Sequence, residues 1–224
     1  SLDFDTTSGE YDNTIPGRIR RAPANLCSRY EAIMKPGTNF YRYGTSDDGS
    51  CFFHTLAAQL NVDDWYNKSA TQQRKIGHRL RHSIRTILHS NSWESFWNKR
   101  LADTNMLDSK GNIPDWRHVA KKIENPKTWS DIYMIEWAMH QLNMSCIFFD
   151  QKNKSRMYCG TRGEKNADTH CFCLWVNRAH FEPIVAYNPT THVMKVAFSD
   201  ADDVVRKFHS TFDNTECPGA ELAV

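Results

Sequence analysis

Residues 46–60 read SDDGSCFFHTLAAQL, and this stretch decides how the rest of the chain is interpreted. Apolar side chains recur at helical spacing from Cys51 to Leu60, which predicts a helix that begins at the cysteine. The free N–H groups of a first helical turn carry partial positive charge and favour a thiolate. Gly49 and Ser50 suit a tight turn whose N–H groups could face an oxyanion. Cys51 is therefore either a nucleophile or a small buried hydrophobe, and the local pattern leaves both open.

A cysteine nucleophile needs a base, and His180 in the segment NRAHFEPIVAYN is the candidate. A strand is predicted from this point, so His180 and Glu182 point to the same side. There the carboxylate can orient the imidazole and stabilise its charged form. The alternative is an ordinary solvated His–Glu pair. His54, one helical turn after Cys51, is expected to support the helix rather than act as the base.

Along the chain, predicted helices come first and predicted strands follow. Helical patterns cover residues 26–34, 51–60, 69–90, 92–101, 116–123 and 131–143. Short segments rich in β-forming residues follow at 145–150, 156–160, 170–177, 181–188 and 192–198, before a last helix at 200–212. This order predicts one α+β domain over residues 26–224. Residues 1–25 are polar and punctuated by glycine and proline, which predicts a loosely ordered arm.

Composition excludes several classes of function. The formal net charge is only +2, so the chain as a whole predicts no nucleic-acid partner, although residues 74–85 include a basic helix face. No apolar run reaches the roughly 20 residues that span a bilayer, so no membrane association is expected. Seven cysteines without a secretory signal indicate a reducing compartment, and we expect a cytoplasmic protein.

Four residues have the types of a zinc site: Cys159, His170, Cys171 and Cys173. Their spacing lacks a CxxC pair, and Cys171 and Cys173 share one face of a predicted strand. Burial in the core is the favoured interpretation. We therefore predict no metal.

Two motifs together resemble a known family. Asp48–His54, DGSCFFH, resembles the nucleophile motif of the ovarian-tumour (OTU) family of cysteine proteases, most of which are deubiquitinases. His180–Glu182, HFE, resembles the late histidine motif of that family. The blocks between them follow the family order, including a basic helix, a Trp-led buried helix and a closing hairpin. The resemblance covers about residues 40–188, and the short spacing from nucleophile to histidine is similar to viral members.

The resemblance implies a papain-like OTU fold, in which a small, mostly antiparallel sheet packs between helices and the nucleophile begins a helix. It implies that Cys51 attacks the carbonyl after the C-terminal glycine of ubiquitin or a ubiquitin-like protein, with His180 as the base. Backbone N–H groups of Asp48, Gly49 and Cys51 would hold the oxyanion. No cofactor is implied, and we expect a monomer in the cytoplasm, or in the host cytoplasm for a viral member.

The third catalytic member stays open at this point. The family more often has Asp or Asn where this chain has Glu182, so Asp48, or less readily Asn188, is the alternative. We expect loss of Glu182 to lower turnover by less than loss of Cys51 or His180. A second hypothesis is an OTU-fold module that binds ubiquitin with little or no turnover. A structural or nucleic-acid-binding domain with an incidental cysteine ranks below both.

Overall fold

The computed structural model describes residues 3–8, 14–100, 107–150, 155–158, 169–176 and 179–211. Seven helices lie within these ranges: α1 Ala24–Tyr30, α2 Cys51–Gln59, α3 Ala70–Thr86, α4 Ser90–Arg100, α5 Trp116–Glu124, α6 Ile132–Leu142 and α7 Asp203–Thr211. Nine strands accompany them: β1 Asp3–Ser8, β2 Arg18–Arg21, β3 Asn39–Tyr43, β4 Ser145–Asp150, β5 Ser155–Tyr158, β6 Thr169–Val176, β7 His180–Asn188, β8 Val193–Lys195 and β9 Phe198–Ser199.

The strands form one mixed sheet in the order β1-β2-β3-β7-β6-β4-β5, with β8 beside β7 and β9 beside β6. The β1–β2 and β4–β6 pairs are parallel, and the six other pairs are antiparallel. Strand β7 lies in the middle of the sheet between β3 and β6. The mostly antiparallel α+β architecture predicted from the sequence is confirmed.

Helices cover both faces of the sheet. On one face α1 and α7 pack Tyr30 and Phe208 against Phe149, within a cluster that includes Phe172. On the other face α2 packs against β7. Each fully buried Phe or Leu side chain contributes about 1.5–3 kcal/mol to the stability of this arrangement. The site region is therefore built on rigid, buried elements.

The beginning of the chain differs from its prediction. The sequence analysis expects residues 1–25 to be a loosely ordered arm, whereas β1 and β2 both lie in this segment. Strand β2 pairs with β3, with Ile19 opposite Tyr43. Ile19 and Ala22 are fully buried, so two short apolar side chains among polar neighbours are enough to anchor this segment to the sheet. The prediction rested on the average composition of 25 residues, in which these two buried side chains do not stand out.

Local signals set two helix starts. Ser69 and Gln72 form a capping box at the start of α3, since each side chain bonds the backbone N–H of the other. Asp131 caps α6 by accepting a hydrogen bond from the Met134 N–H. No helix in the described ranges is both long and apolar enough to cross a bilayer.

Candidate active site

Cys51 is the first residue of α2, as the sequence predicts, and its side chain is only 1% exposed. The pKa of the Cys51 thiol is raised to about 12, mainly by burial and in smaller part by the carboxylates of Asp47 and Asp48, while the Phe181 backbone N–H acts in the opposite direction. The positive end of α2 is therefore outweighed by desolvation and two nearby negative charges. In this state of the protein the thiol is protonated.

His180 is the first residue of β7, and the next residue connects it to the cysteine. The Phe181 backbone N–H hydrogen-bonds towards the Cys51 sulfur, and the Phe181 ring packs on Phe52 of α2 at 5.7 Å between centroids. The Thr55 hydroxyl also donates to the Phe181 carbonyl at 2.9 Å. These contacts fasten the start of β7 to the first turn of α2, so the residue after His180 lies against the helix that Cys51 begins.

Both ring nitrogens of His180 have an acceptor nearby. The Thr45 hydroxyl donates to the Phe181 carbonyl at 2.8 Å, so it can offer only a lone pair to His180 Nε2, which lies 3.3 Å away. Glu182 Oε1, a second acceptor, is 3.8 Å from the same nitrogen. The carboxylate of Asp47 lies 3.4 Å from Nδ1, on an exposed side chain. Two buried acceptors therefore favour a proton on Nε2, and the exposed carboxylate favours one on Nδ1.

The basicity of His180 follows from burial and charge. Burial lowers the pKa of the imidazole, helped by the charge of Arg42, while the carboxylates of Glu182 and Asp47 oppose this shift. Asp47 Oδ1 lies 3.4 Å from His180 Nδ1, on a side chain that is 63% exposed. The lowered pKa favours the neutral form of the His180 imidazole at neutral pH.

Glu182 is a fully buried carboxylate that holds several groups at once. Oε2 accepts a close ion-paired hydrogen bond from Arg42 Nε, and the Thr14 hydroxyl donates to Oε1 at 2.6 Å. Oε1 is also the atom that faces His180. The longer side chain of glutamate thus reaches the guanidinium of β3 and the imidazole together. Glu182 has the position of an orienting residue for His180.

We expect Glu182→Gln to lower turnover by about 10²-fold, the low end of what acid–base groups contribute. The loss should be smaller than for Cys51 or His180, because the variant removes orientation and charge but not a reacting atom. Glu182→Asp, which keeps the carboxylate that faces Arg42, should recover part of both turnover and stability. The measurements are kcat with a ubiquitin-derived substrate and the thermal unfolding midpoint. Equal losses at all three positions would make Glu182 a full member of the reacting set, and unchanged kcat would remove it.

Asp48 and Asn188, the alternatives for the third member, contact other groups. His54 Nε2 lies 2.9 Å and 3.1 Å from the two carboxylate oxygens of Asp48. Burial would raise the pKa of Asp48, but the hydrogen bonds from His54 and the Ser50 N–H outweigh it and hold the pKa below its usual value. Asn188 lies at the far end of β7, where its Oδ1 accepts from the Thr190 and Thr191 N–H groups. Of the three candidates, only Glu182 faces His180.

The backbone N–H groups predicted to hold the oxyanion lie in the turn before α2, but the N–H of Cys51 already has an acceptor. The Cys51 N–H donates to the Asp48 carbonyl at 3.0 Å, and the Ser50 N–H donates to the Asp48 side chain at 2.9 Å. Within the described part of the chain, no backbone hydrogen bond involves the N–H of Gly49. A Cβ at Gly49 would lie 2.2 Å from the Lys127 carbonyl carbon, so this glycine is required by close packing of a neighbouring loop.

Arg81 is a site residue that the sequence analysis placed on a solvated basic face. It is 2% exposed, and its guanidinium lies 5.1 Å from the Phe53 ring centre. Its five N–H groups donate to six oxygens at 2.6–3.4 Å: the carbonyls of Gly49, Lys122, Ile123, Pro126 and Thr128 and the hydroxyl of Ser50. Arg81 therefore ties the nucleophile turn to the loop between α5 and α6.

Three buried cysteines meet in the core away from this turn. Cys146 of β4 joins Cys171 and Cys173 of β6, and the Cys146 and Cys173 sulfurs are 3.0 Å apart. Cys146 was not among the four residues considered for zinc. His170 contacts Asp200 instead, since it points to the opposite side of β6, and Cys159 lies outside the described residues. All five described cysteines are free thiols.

The site thus contains groups that sequence reasoning found and groups that it missed. Cys51, His180 and Glu182 were singled out by the resemblance of their segments to the OTU motifs. Thr45 and Arg42 were missed because a single polar residue in or beside a strand has no distinctive pattern. Arg81 had a weak signal, since it lies between Gly77 and Ile84 on the buried side of α3.

Together the site holds a thiol at a helix N-terminus, an imidazole with a free lone pair and a buried carboxylate behind it. These are the groups that thiol-dependent acyl transfer requires. No protein-family model matches the sequence, and no curated protein is similar to it. In structure the chain is similar to an OTU domain in complex with ubiquitin, with 14% identity over 83% of this chain and 86% of that chain and a TM-score of 0.48.

Two further solved structures have the same kind of similarity. The viral OTU domain protease from Qalyub virus is 15% identical over 68% of this chain and 95% of its own, with a TM-score of 0.44. An OTU deubiquitinase from Wolbachia pipientis wMel, bound to ubiquitin, is 16% identical over 65% of this chain and 94% of its own, with a TM-score of 0.39. These solved structures are OTU domains, and the sequence motifs resemble the OTU family.

Proposed function

We propose that this protein is a thiol-dependent isopeptidase of the OTU type, which hydrolyses the bond after the C-terminal glycine of ubiquitin or a ubiquitin-like protein. The observation that carries the proposal is the junction of α2 and β7. There the Phe181 ring packs on Phe52 of α2, and the adjacent His180 lies between the carboxylates of Asp47 and Glu182. The reactive form that we propose carries its proton on Nε2, next to Thr45 and Glu182. A structural cysteine would need no buried imidazole beside it with a carboxylate behind the ring.

The proposed reaction has two halves. His180 Nδ1 takes the Cys51 thiol proton as the sulfur attacks the glycine carbonyl, which gives a tetrahedral oxyanion. The C–N bond then breaks, His180 returns the proton to the leaving lysine amine, and a thioester remains on Cys51. Water, deprotonated by His180, attacks this thioester and releases the glycine carboxylate and the thiol. Glu182 and Thr45 hold the ring in the required tautomer throughout.

The substrate class follows from the motif resemblance and from access to the sulfur. The Cys51 side chain is 1% exposed, so a substrate with a side chain beside the scissile bond would collide with the walls around it. Glycine has no Cβ, so a diglycine tail such as that of ubiquitin can pass as a narrow extended chain. Binding of this tail is the step that would bring the carbonyl carbon to the sulfur.

The two pKa shifts predict an unusual pH profile. A cysteine protease with a preformed thiolate–imidazolium pair loses activity when the imidazolium deprotonates at alkaline pH. Here burial holds the thiol protonated up to a pKa of about 12 and lowers the pKa of His180 below 6.5, so the active form is neutral thiol with neutral imidazole. We expect kcat/KM to rise with pH, with a midpoint below 6.5, and then to stay level on the alkaline side. A bell-shaped profile that falls above neutral pH would contradict the neutral-pair description.

The test of the proposed function is hydrolysis of a ubiquitin C-terminal amide with a fluorescent leaving group. Wild-type protein should release the fluorophore, and Cys51→Ala and His180→Ala should not. The matched control is Cys27→Ala, which removes another buried thiol on α1. Activity that survives Cys51→Ala would overturn the proposal. A panel of ubiquitin-like substrates should identify the modifier.

The second candidate function is an OTU-type module that binds ubiquitin with weak or no turnover. It is favoured by one specific observation, the raised pKa of the buried Cys51 thiol beside two carboxylates. Tight binding of ubiquitin by the wild-type protein, without hydrolysis at any pH, would support this candidate. The free thiols of the described cysteines fit the expected cytoplasmic location under either candidate.

A further inference from the structure

A second cluster of chemically active side chains lies behind the nucleophile turn. It consists of Asp48, His54 of α2 and His78 of α3. His54 Nε2 is 2.9 Å from Asp48 Oδ1, and His78 Nε2 is 3.7 Å from Asp48 Oδ2. One ligand atom from each residue lies within 4.8 Å of the other two. None of the three is needed as a reacting group in the proposed hydrolysis.

The spacing of these atoms fits a tetrahedral divalent ion. Zinc binds imidazole nitrogen and carboxylate oxygen at about 2.0–2.2 Å, so two ligands of a tetrahedral site are about 3.3 Å apart. The two measured separations, 2.9 Å and 3.7 Å, lie on both sides of this value, and all three ligand atoms lie within 4.8 Å of one another. Two histidines and one carboxylate, with one position left for water, form a ligand set that zinc uses in proteins.

We propose that Asp48, His54 and His78 form a zinc-binding site beside the nucleophile turn, with water as the fourth ligand. His54 is fully buried and forms the floor, while the side chains of Asp48 and His78 are 25% and 38% exposed. The ion can therefore enter from solvent, which the fully buried cluster of Cys146, Cys171 and Cys173 does not permit. The sequence analysis predicts no metal from the spacing of Cys159, His170, Cys171 and Cys173, and it did not weigh Asp48, His54 and His78 as ligands.

The scaffold holds the floor of the site in place. A Cβ on Gly77 would lie 1.9 Å from His54 Nδ1, so the α3 backbone packs directly against the imidazole. This contact turns Nε2 towards Asp48, and the Ser50 N–H fixes the carboxylate from the other side. His54 Nδ1 has no hydrogen-bond partner among the described residues, so the proton that zinc binding places there gains no acceptor. We therefore expect micromolar rather than nanomolar affinity.

Two arginines face the site and oppose a cation. Arg74 Nε lies 3.6 Å from Asp48 Oδ2, but its side chain is 56% exposed and can rotate into solvent. Arg81 is engaged by backbone carbonyls, so its charge is fixed and partly balanced. Zinc must displace the Arg74 contact. Arg74→Gln should therefore tighten zinc binding by about fivefold, the size of an exposed charge interaction.

The experiment is a zinc titration by calorimetry in the Cys51→Ala background, which removes the reactive thiol as a competing ligand. One zinc per chain is expected. His78→Ala should weaken binding by about 10²-fold or more, because loss of a direct ligand costs at least as much as loss of a supporting group. The matched control is His82→Ala, one turn further along α3 and exposed, which should bind as tightly as the parent.

Cobalt provides an independent readout, since Co²⁺ in a four-coordinate site absorbs strongly in the visible range and does so without thiolate bands here. Equal zinc affinity for His78→Ala and His82→Ala would overturn the proposal. So would binding that disappears only in Cys146→Ser, or no stoichiometric binding at micromolar zinc. None of these readouts depends on hydrolysis, so the zinc site and the proposed isopeptidase activity can fail separately.

Discussion

Arg81→Met is expected to lower the free energy of unfolding by about 4 kcal/mol, because it leaves several buried oxygens without their donor. Methionine fills a similar volume but donates no hydrogen bond. The carbonyls of Gly49 and Thr128 would lose their shared donor, so the nucleophile turn would separate from the loop after α5. Burial lowers the pKa of Arg81 to about 10, because it removes the guanidinium from water.

Chemical denaturation monitored by tryptophan fluorescence measures this loss. The matched control is Arg79→Met, two residues earlier on α3, where the side chain is 68% exposed and pairs only with Asp63. Exposed pairs of this kind contribute about 0–1 kcal/mol, so the control should unfold nearly as the wild type does. Arg81→Lys should be intermediate, since an ammonium group keeps the charge but cannot reach both sides of the loop. Equal stability of Arg81→Met and Arg79→Met would contradict the role given to Arg81.

Cys51→Ala and His180→Ala are expected to lower kcat/KM on a ubiquitin amide by about 10⁴-fold or more each, with a double variant that loses little beyond either single one. The effects are not additive because the thiol and its base act in the same step. Stability should change little for Cys51→Ala, which removes one sulfur atom. The control is His192→Ala in the turn after β7, where the Tyr187 hydroxyl lies 2.9 Å from His192 Nδ1.

Additive losses, or a His180→Ala variant with near wild-type kcat, would show that His180 is not the base. Asp47 is then the group to examine, because its carboxylate lies near both His180 and Cys51. Its exposed position and its effect of raising the Cys51 pKa argue that it restrains the thiol rather than activates it.

Much of the fold was readable because strong local patterns agree with tertiary packing. Helix α2 begins at Cys51 because an apolar run follows a turn-forming Gly-Ser pair, and α3 begins after Ser69 because a capping box is written in four residues. Strand β2 was not predicted, since its anchoring residue Ile19 lies among arginines. Its burial depends on pairing with β3, which is a long-range contact that no local window contains.

The site divides in the same way. Cys51 and His180 were singled out by the resemblance to the OTU motifs, because the local pattern alone left Cys51 open between a nucleophile and a buried hydrophobe. The functions of Glu182 and Asp48 depend on which imidazole each one faces, and the same carboxylate chemistry fits either. Only the geometry separates them: Glu182 lies against His180 and Arg42, and Asp48 lies against His54. Arg81 falls between these two cases. Its charge is visible in the sequence, but its role is set by the six oxygens around it.

The most direct measurement of the central claim uses ubiquitin with a cysteine-reactive electrophile in place of its C-terminal glycine carbonyl. We expect the wild-type protein to form a one-to-one covalent adduct, detected by intact mass, with the modified residue mapped by fragmentation to Cys51. Cys51→Ala should form none, and Glu182→Gln should form the adduct more slowly. An adduct on another cysteine, or none from wild-type protein that is shown to be folded, would contradict the account.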